Sequence, residues 1–394
     1  MTKSNYPLAT TTWGDEEVAA IHSVIASGMY TMGPRVAEFE RFFAEFTGSK
    51  HCVMVNSGSS ANLLMVGALR FKKHNALMPG DEIIVPAVSW STTYHPLQQY
   101  GLKLKFVDID RNTLNYDLTA LRHAVSESTR AIMVVNLLGN PNDFNEIKMA
   151  VAGRDIVMIE DNCESLGATY SGKQAGTFGV MGTYSGFFSH HISTMEGGMV
   201  VTDDEELYQI MLCLRAHGWT RNLPKENHVS GTKSDDAFIE SFKFVLPGYN
   251  LRPLEMSGAI GVAQLKKLPP MISQRRANAA RFIELIKAFP YITPQRELGQ
   301  SSWFGFSMLI GDGISRQAVV AALNAHGVDV RPIVAGNFAK NECLKWFDYN
   351  IHGELPNAEE VDRAGLFVGN HHFALGDEFV ALKAALDSVK GSNA

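Results

Sequence analysis

Two adjacent histidines, His190 and His191, lie in a serine- and glycine-rich run between Ser185 and Gly198. Neighbouring side chains point in different directions in a strand or a turn, so at most one of the pair faces a given site. The unperturbed imidazole titrates near neutral pH, which suits it to general base chemistry. A lone histidine is more often a surface or core residue, but one in such a loop after a strand is a better candidate for a base.

Residues 55–61 (Val-Asn-Ser-Gly-Ser-Ser-Ala) follow a predicted strand and open a predicted helix. Small side chains let the backbone approach an anion closely, and the free N–H groups and dipole of a helix start attract phosphate. The run differs from a Walker A loop and from the G-x-G-x-x-G dinucleotide fingerprint. Serine and glycine turns before helices are common, so this run alone is weak evidence for a phosphate site.

An acidic strand end and a tryptophan extend the pattern. Asp161 lies at the end of a buried strand, and its carboxylate could pair with a cationic ring nitrogen, since a nearby negative charge favours the protonated ring. A lone aspartate there is more often a solvated strand end or a helix cap. Trp90 follows another strand end among small hydroxyl residues, where tryptophan is more often a core residue. Together with the other runs, these residues suggest a flat aromatic cofactor stacked on the Trp90 indole.

The elements that must hold these residues alternate between strand and helix. Runs rich in Val, Ile and Phe predict seven buried strands of a parallel or mixed sheet. They cover residues 51–56, 82–88, 102–108, 131–137, 155–160, 183–188 and 198–202. Helical patterns lie between them, for example at residues 61–71 and at residues 118–125 behind an Asp117 N-cap. This alternation indicates an α/β fold.

Beyond Asp203 the pattern changes, and the chain predicts a helix, a polar loop and a long helix, at residues 204–217, 222–240 and 253–289. A smaller α/β pattern follows, with a strand, a helix and a strand at residues 304–309, 316–326 and 328–331. We therefore predict two domains, residues 1–250 and residues 251–394.

Composition indicates a cytoplasmic α/β enzyme or binding protein. The chain has 394 residues, of which 45% are hydrophobic and 19% charged, and its net charge of −6 gives no basic footprint for nucleic acid or an anionic membrane. No apolar run approaches the ~20 residues of a membrane span, and the first residues lack the apolar segment of a secretory signal. The four cysteines lie far apart, which argues against a metal or iron–sulfur site and suits a reducing compartment.

The order and spacing of these motifs resemble the sugar aminotransferases that bind pyridoxal phosphate (PLP) and act on nucleotide-linked keto-sugars. The resemblance covers nearly the whole chain. It includes two further signatures, at residues 28–34 (Gly-Met-Tyr-Thr-Met-Gly-Pro) and 248–253 (Gly-Tyr-Asn-Leu-Arg-Pro). It implies fold type I of the PLP-dependent aminotransferases, with a mostly parallel seven-stranded sheet domain and a smaller C-terminal α/β domain.

One departure from the family pattern determines the expected activity. Most members have a lysine six residues before Glu196-Gly197-Gly198, where it attaches to PLP, and this chain has His190 there. That exchange marks the family's 3-dehydratases. One kind acts on a CDP-sugar with an iron–sulfur cluster, for which this chain lacks the clustered cysteines. The other kind acts on GDP-4-keto-6-deoxy-D-mannose in the route to colitose, with L-glutamate as amino donor, and releases 2-oxoglutarate and ammonia.

The resemblance implies a noncovalent cofactor that alternates between PLP and its amine form, PMP. Gly58 and Ser59 would bind its phosphate through backbone N–H groups, and Ser185 would add a hydroxyl. Asn250 would reach the same phosphate from the neighbouring subunit, so a homodimer with shared sites is expected.

The remaining implied roles concern the cofactor ring and the substrate. Trp90 would stack on the pyridine face, Asp161 would pair with the ring nitrogen, and Glu164 would lie near the 3-oxygen. His190 would be the base that removes a proton from the C4′ carbon. His217 and Arg331 are weaker candidates for contact with the substrate.

Two other functions stay open from the sequence. The first is a nucleotide-sugar 4-aminotransferase that uses another base and releases no ammonia. The second is a noncatalytic PLP-fold protein that binds the ligands without glutamate-dependent turnover. The retained Asp161, Trp90 and serine–glycine run disfavour the second, because a scaffold has no need of a ring that accepts electrons.

Overall fold

A computed structural model describes residues 4–311 and 313–391 of the chain. Within these residues the strands are β1 (His51–Val55), β2 (Glu82–Pro86), β3 (Lys103–Val107), β4 (Thr129–Val135), β5 (Val157–Asp161), β6 (Thr169–Tyr170), β7 (Lys173–Gln174), β8 (Met181–Ser185), β9 (Gly198–Thr202), β10 (Glu226–Asn227), β11 (Gly231–Thr232), β12 (Ile292–Pro294), β13 (Gly305–Ile310), β14 (Val330–Arg331), β15 (Tyr349–Ile351) and β16 (Gly365–Gly369).

The α-helices in the same residues surround these strands. They are α1 (Asp15–Ser27), α2 (Pro34–Thr47), α3 (Gly58–Phe71), α4 (Ser91–Gln99), α5 (Leu118–Ala124), α6 (Phe144–Ala150), α7 (Glu205–Arg215), α8 (Ala237–Glu240), α9 (Glu255–Ile286), α10 (Arg316–Ala325), α11 (Pro356–Ala364) and α12 (Asp377–Gly391). Asp117 caps α5 as predicted, since its side chain accepts hydrogen bonds from the backbone N–H groups of Thr119 and Ala120.

The main sheet has eight strands in the order β1-β9-β8-β5-β4-β2-β3-β15. Neighbours are parallel, except that β9 runs antiparallel to both β1 and β8. Successive residues of a central strand pack on opposite faces: Ala131 and Met133 of β4 join one core cluster, and Ile132 and Val134 join another. Helices cover both faces, which is why the strands are apolar throughout.

Three groups of helices cover the two faces of the main sheet. Helices α3, α4 and α7 pack on one face of the sheet, and α5 and α6 pack on the other. Helix α2 and the first half of α9 cover that second face at the β1 end. The main sheet is thus the middle layer of three.

All seven predicted strands are present, but the expected strand count is corrected from seven to eight. The additional strand, β15, lies in the C-terminal part of the chain and pairs in parallel with β3 at the edge of the main sheet. It has three residues and alternates exposed with half-buried positions, so it carries almost no apolar signal.

The C-terminal part also forms a second sheet, in the order β12-β13-β16-β14, with its own apolar core. Helix α9 is continuous over 32 residues and contributes to both this core and the cluster around α2. The division at residue 250 remains a prediction. Every helix in the described ranges is too short or too polar to span a bilayer.

Candidate active site at the carboxyl edge of the main sheet

The predicted site residues follow strands that end at the same edge of the sheet. Strands β1, β2, β5 and β8 run in one direction, and each carries a motif at or just beyond its last residue. Ser57 follows β1, Trp90 follows β2, and Asp161 and Ser185 are the last residues of β5 and β8. Ligands of open α/β sheets bind outside the carboxyl ends of the strands. The topology therefore brings these motifs to the same edge of the main sheet.

The serine–glycine run forms the start of α3. The Ser57 side chain accepts a hydrogen bond from the Ser60 N–H at 3.0 Å, so it caps the helix. A Cβ added at Gly58 would lie 2.8 Å from the Ser185 Cβ and 2.9 Å from the Cys163 Sγ, which explains the glycine. The exposed Ser59 donates to the Thr92 hydroxyl at 2.9 Å. Hydroxyls and a helix N-terminus thus surround one small space, as phosphate binding requires.

Asp161 is 6% exposed and is held by three donors. Asn62 Nδ2 and Thr93 Oγ1 both donate to its Oδ2, each at 2.8 Å. The backbone N–H of Cys163 donates to its Oδ1 at 3.1 Å. Oδ2 therefore accepts two hydrogen bonds, whereas Oδ1 accepts one and can accept another from a further donor.

Trp90 is unusually exposed for its size. Its side chain is 58% exposed at the N-cap position of α4, where it makes no capping hydrogen bond. It precedes Thr92 and Thr93, which contact Ser59 and Asp161. The more common core role of tryptophan is therefore wrong here, and the indole is available as a platform for a flat ligand.

Glu160 and Glu164, which lie near Asp161 in the sequence, have different roles. Glu160 is fully buried and accepts hydrogen bonds from the backbone N–H groups of Gly176, Phe178 and Gly179, so it stabilises a loop. Glu164 accepts a hydrogen bond from the Leu138 N–H at 3.0 Å. Burial raises the pKa of Glu164 to about 7, against the lowering effect of that hydrogen bond.

The two histidines have different surroundings. His191 is 1% exposed, and its Nε2 lies 3.1 Å from the Ser302 carbonyl oxygen. His190 is partly exposed, and its ring contacts those of Phe187 and Phe304. Burial, and then the charge of Arg275, lower the pKa of His190 to about 4, so its imidazole is neutral at neutral pH. These surroundings favour His190 over His191 as the proton acceptor.

Three predicted residues lie outside this network of contacts. Asn250 and His217 are exposed and adjacent, because Ala216 pairs with Asn250 and the His217 N–H donates to the Tyr249 carbonyl at 2.6 Å. The Asn250 side chain accepts from Arg252 Nε at 3.0 Å. Arg331 is exposed on β14 in the second sheet, and no described contact joins it to Asp161 or the α3 start. Their roles remain predictions.

Sequence reasoning missed the residues that support Asp161. They are Asn62, Thr93 and Thr183, and the Thr183 hydroxyl donates to Asn62 Oδ1 at 2.6 Å. A polar residue inside the apolar pattern of α3 was the available signal for Asn62. The two threonines carry no comparable signal.

These residues fit the phosphate, the ring nitrogen and the ring face of PLP. The helix start and the hydroxyls of Ser59 and Ser185 suit a phosphate, and the pocket is too tight for a Cβ at Gly58. Asp161 has an acceptor position left for a ring N–H, and the Trp90 indole is exposed. The loop from Ser185 to Gly198 contains no lysine that could attach to the cofactor.

The chain is similar to known proteins over nearly its whole length. The model of the DegT/DnrJ/EryC1/StrS aminotransferase family matches residues 11–380. The chain is 62% identical to the GDP-4-keto-6-deoxy-D-mannose 3-dehydratase of Escherichia coli O55:H7, over 97% of this chain and 99% of that protein.

Solved structures are equally similar. A GDP-4-keto-6-deoxymannose-3-dehydratase with a trapped PLP–glutamate geminal diamine has a TM-score of 0.96 and 62% identity, covering 97% of this chain and all of that one. A histidine-to-asparagine mutant with bound GDP-perosamine gives the same TM-score, identity and coverage. The chain therefore belongs to the DegT/DnrJ/EryC1/StrS aminotransferase family.

Proposed function

We propose that this chain is a PLP-dependent 3-dehydratase that converts GDP-4-keto-6-deoxy-D-mannose to GDP-4-keto-3,6-dideoxy-D-mannose in GDP-colitose biosynthesis. L-Glutamate is the amino donor, and 2-oxoglutarate and ammonia are released. The observation that carries the proposal is His190, a neutral imidazole that stands where most of the family has lysine. The identity of 62% with a protein of this name over nearly the whole chain supports the substrate.

The cofactor is held without a covalent bond. Gly58 and Ser59 bind the phosphate through the α3 start, and Ser185 adds its hydroxyl. Asp161 accepts the ring N–H, Trp90 supports the ring face, and Glu164 lies by the 3-oxygen. When bound in its amine form, the cofactor supplies the amine that condenses with the sugar ketone and a ring that accepts electrons.

His190 directs the outcome through its proton chemistry. Its imidazole is neutral because burial lowers its pKa to about 4, so it can accept the proton from the C4′ carbon. The imidazole is shorter than a lysine side chain, and we infer that it does not deliver this proton to sugar C4. The C3 hydroxyl is then lost as water, and the nitrogen from L-glutamate is released as ammonia instead of staying on the sugar.

The functional unit we propose is a cytoplasmic homodimer in which Asn250 contacts the phosphate of the neighbouring site. Its exposed side chain and its position next to the exposed His217 support this role. His217 and Arg331 are proposed contacts for the sugar nucleotide.

One assay tests the function directly. The protein is incubated with PLP, L-glutamate and GDP-4-keto-6-deoxy-D-mannose, and ammonia and product mass are measured. We expect stoichiometric ammonia and a product lighter than the substrate by one oxygen atom. An aminated sugar without ammonia would instead identify a 4-aminotransferase, and absence of glutamate-dependent turnover would identify a noncatalytic protein.

A further inference from the structure

A buried asparagine interrupts the apolar side of α3. Asn62 is 1% exposed, whereas the other buried residues of this helix are glycine, alanine, leucine, methionine and valine. A buried amide costs free energy unless it is hydrogen-bonded, and asparagine is a poor residue for a helix interior. Packing of α3 alone therefore gives no reason for an asparagine at this position.

The hydrogen bonds of Asn62 explain its presence. Its Nδ2 donates to Asp161 Oδ2 at 2.8 Å and to the Thr92 carbonyl at 3.2 Å. Its Oδ1 accepts from Thr183 Oγ1 at 2.6 Å. Because an ionised carboxylate only accepts hydrogen bonds, the amide nitrogen must face Asp161, and the Thr183 hydroxyl then fixes the amide orientation.

These contacts make the two oxygens of Asp161 unequal. Oδ2 receives both Asn62 and Thr93, whereas Oδ1 receives only the Cys163 N–H at 3.1 Å. Two donors on one oxygen fix the rotation of the carboxylate. Oδ1 is left as the acceptor for an N–H from a cationic ring.

Asn62 also connects this carboxylate to the phosphate end of the site. The carbonyl of Thr92 is bound by Asn62, and the hydroxyl of Thr92 lies 2.9 Å from Ser59 Oγ. The segment that contains Thr92 begins with the exposed Trp90. One buried amide thus joins the groups proposed to contact the ring nitrogen, the ring face and the phosphate.

We propose that Asn62 is a positioning residue for the cofactor, which orients the Asp161 carboxylate and ties it to the phosphate loop. The inference rests on the proposed function in assigning the ring nitrogen to Asp161. Asn62 acts through Asp161 and Thr92 and needs no contact with the substrate.

The test uses the full chain and ¹⁵N-labelled PLP without any sugar. Asn62→Leu keeps the branched shape of the side chain and removes the donors. We expect the ring-nitrogen resonance of bound PLP to move toward its unprotonated position. We also expect the Kd for PLP, measured by equilibrium dialysis, to rise about 10- to 100-fold, because the ring N–H loses a well-oriented charged acceptor at Asp161.

Thr183→Val keeps the inference testable if Asn62→Leu does not fold. It leaves Asn62 in place but removes the hydroxyl that orients the amide, and valine is close to threonine in shape. We expect the resonance and the Kd to move in the same direction as in Asn62→Leu, by less.

Asn278→Leu is the matched control. Asn278 is also a fully buried asparagine inside a helix, but it bonds to Asn370, His371 and Phe373. It should lower stability without moving the resonance, and an equal movement in this variant would overturn the inference.

Asp161→Asn separates this inference from the proposed function. If Asp161→Asn leaves the resonance unchanged, the proposed role of Asp161 fails and the inference fails with it. If Asp161→Asn moves the resonance but Asn62→Leu and Thr183→Val do not, only the role of Asn62 is overturned.

Discussion

The two histidines of the β8–β9 loop show that environment, rather than residue type, separates a base from a structural group. His191 is buried against the Ser302 carbonyl, and His190 is partly exposed beside Phe304. Both rings are held neutral by burial and by Arg275, which lower their pKa values. Only His190 combines a neutral ring with partial exposure.

His190→Asn should therefore retain PLP binding and lose turnover. Removal of a general base costs on the order of 10²–10⁴ in rate, and more if His190 also serves the glutamate half-reaction. His191→Asn should keep most of the turnover and lose about 1–3 kcal/mol of stability, since the Ser302 carbonyl loses its partner. Steady-state kinetics and urea unfolding measure both effects. An active His190→Asn beside an inactive His191→Asn would reverse the assignment.

Glu164 should make the stability of the cofactor-free protein fall with rising pH. Burial raises its folded pKa to about 7 from an ordinary value of 4.5, so the folded state binds more protons between these values. The free energy of unfolding therefore declines as the pH rises through this window, and the loss is complete above about pH 7. Glu164→Gln should flatten this decline and add on the order of 1–2 kcal/mol at pH 8, after allowance for partial solvent contact. Urea unfolding at pH 5 and pH 8 measures it, and equal slopes in both proteins would contradict the prediction.

Much of the site was predictable because its chemistry lies in exposed or strand-end residues. Trp90 lies just beyond β2 and Asp161 is the last residue of β5, and both strands have plain apolar runs in the sequence. Ser185 is different, because the strand expected at residues 183–188 is β8, which ends at Ser185. Asn62 leaves only one local signal, a polar residue in the apolar pattern of α3, and Thr183 leaves none. Their importance depends on a hydrogen bond between α3 and β8 that only the folded sheet creates.

Two helix N-termini contact distant parts of the chain: that of α3, which is the proposed phosphate site, and that of α2. The α3 start lies against Ser185 so closely that glycine is required at position 58. At the α2 start, the buried Glu255 carboxylate accepts hydrogen bonds from the N–H groups of Gly33, Arg35 and Val36. Each helix start is thus fixed by a residue more than 100 positions away.

Gly58→Ala should weaken PLP binding and destabilise the protein. The new Cβ would meet Ser185 and Cys163 at 2.8–2.9 Å, and overpacking of this kind costs about 1–3 kcal/mol. Better helix propensity returns at most about 1 kcal/mol, so the clash prevails. Dialysis with PLP and thermal unfolding measure the effect. Gly376→Ala is the control, because nothing lies within 4 Å of a Cβ there, and an equal loss in both variants would argue against the clash.

Glu255→Gln should lower stability by about 1–3 kcal/mol, because a charged acceptor for three helix N–H groups becomes neutral and one of its oxygens becomes a donor. Glu284→Gln, in the same helix but paired only with Lys287 at the exposed end, should change stability by less than about 0.5 kcal/mol. Urea unfolding compares the two. Equal effects would show that the α2 cap contributes little.

Helices and strands with a strong local pattern were predictable from the sequence, whereas a short strand that depends on a distant partner was not. The helix expected at residues 253–289 is present as α9, which continues through the exposed Pro269 and Pro270. The strand β15 was missed because three half-polar residues form a strand only beside β3.

If two subunits share each site, inactive variants should complement each other. Asn250→Ala and Asp161→Ala chains would each be inactive alone, but a mixed dimer holds one site without either change. Random mixing should restore roughly a quarter of the full activity, because half of the dimers carry one intact site of two. Activity after subunit exchange, verified by mass spectrometry, measures this. Exchange without rescue would place Asn250 outside the partner's site.

The position of β15 has a consequence for synthesis of the chain in the cell. The edge of β3 is covered by a strand that lies roughly 240 residues later in the sequence. At ~5–20 residues per second, this edge is unpaired for roughly 12–50 s after β3 has been made. An open strand edge is a template for pairing with other chains, so nascent copies on one messenger are most prone to aggregate in this interval. Synthesis and docking of the three residues of β15 close that interval.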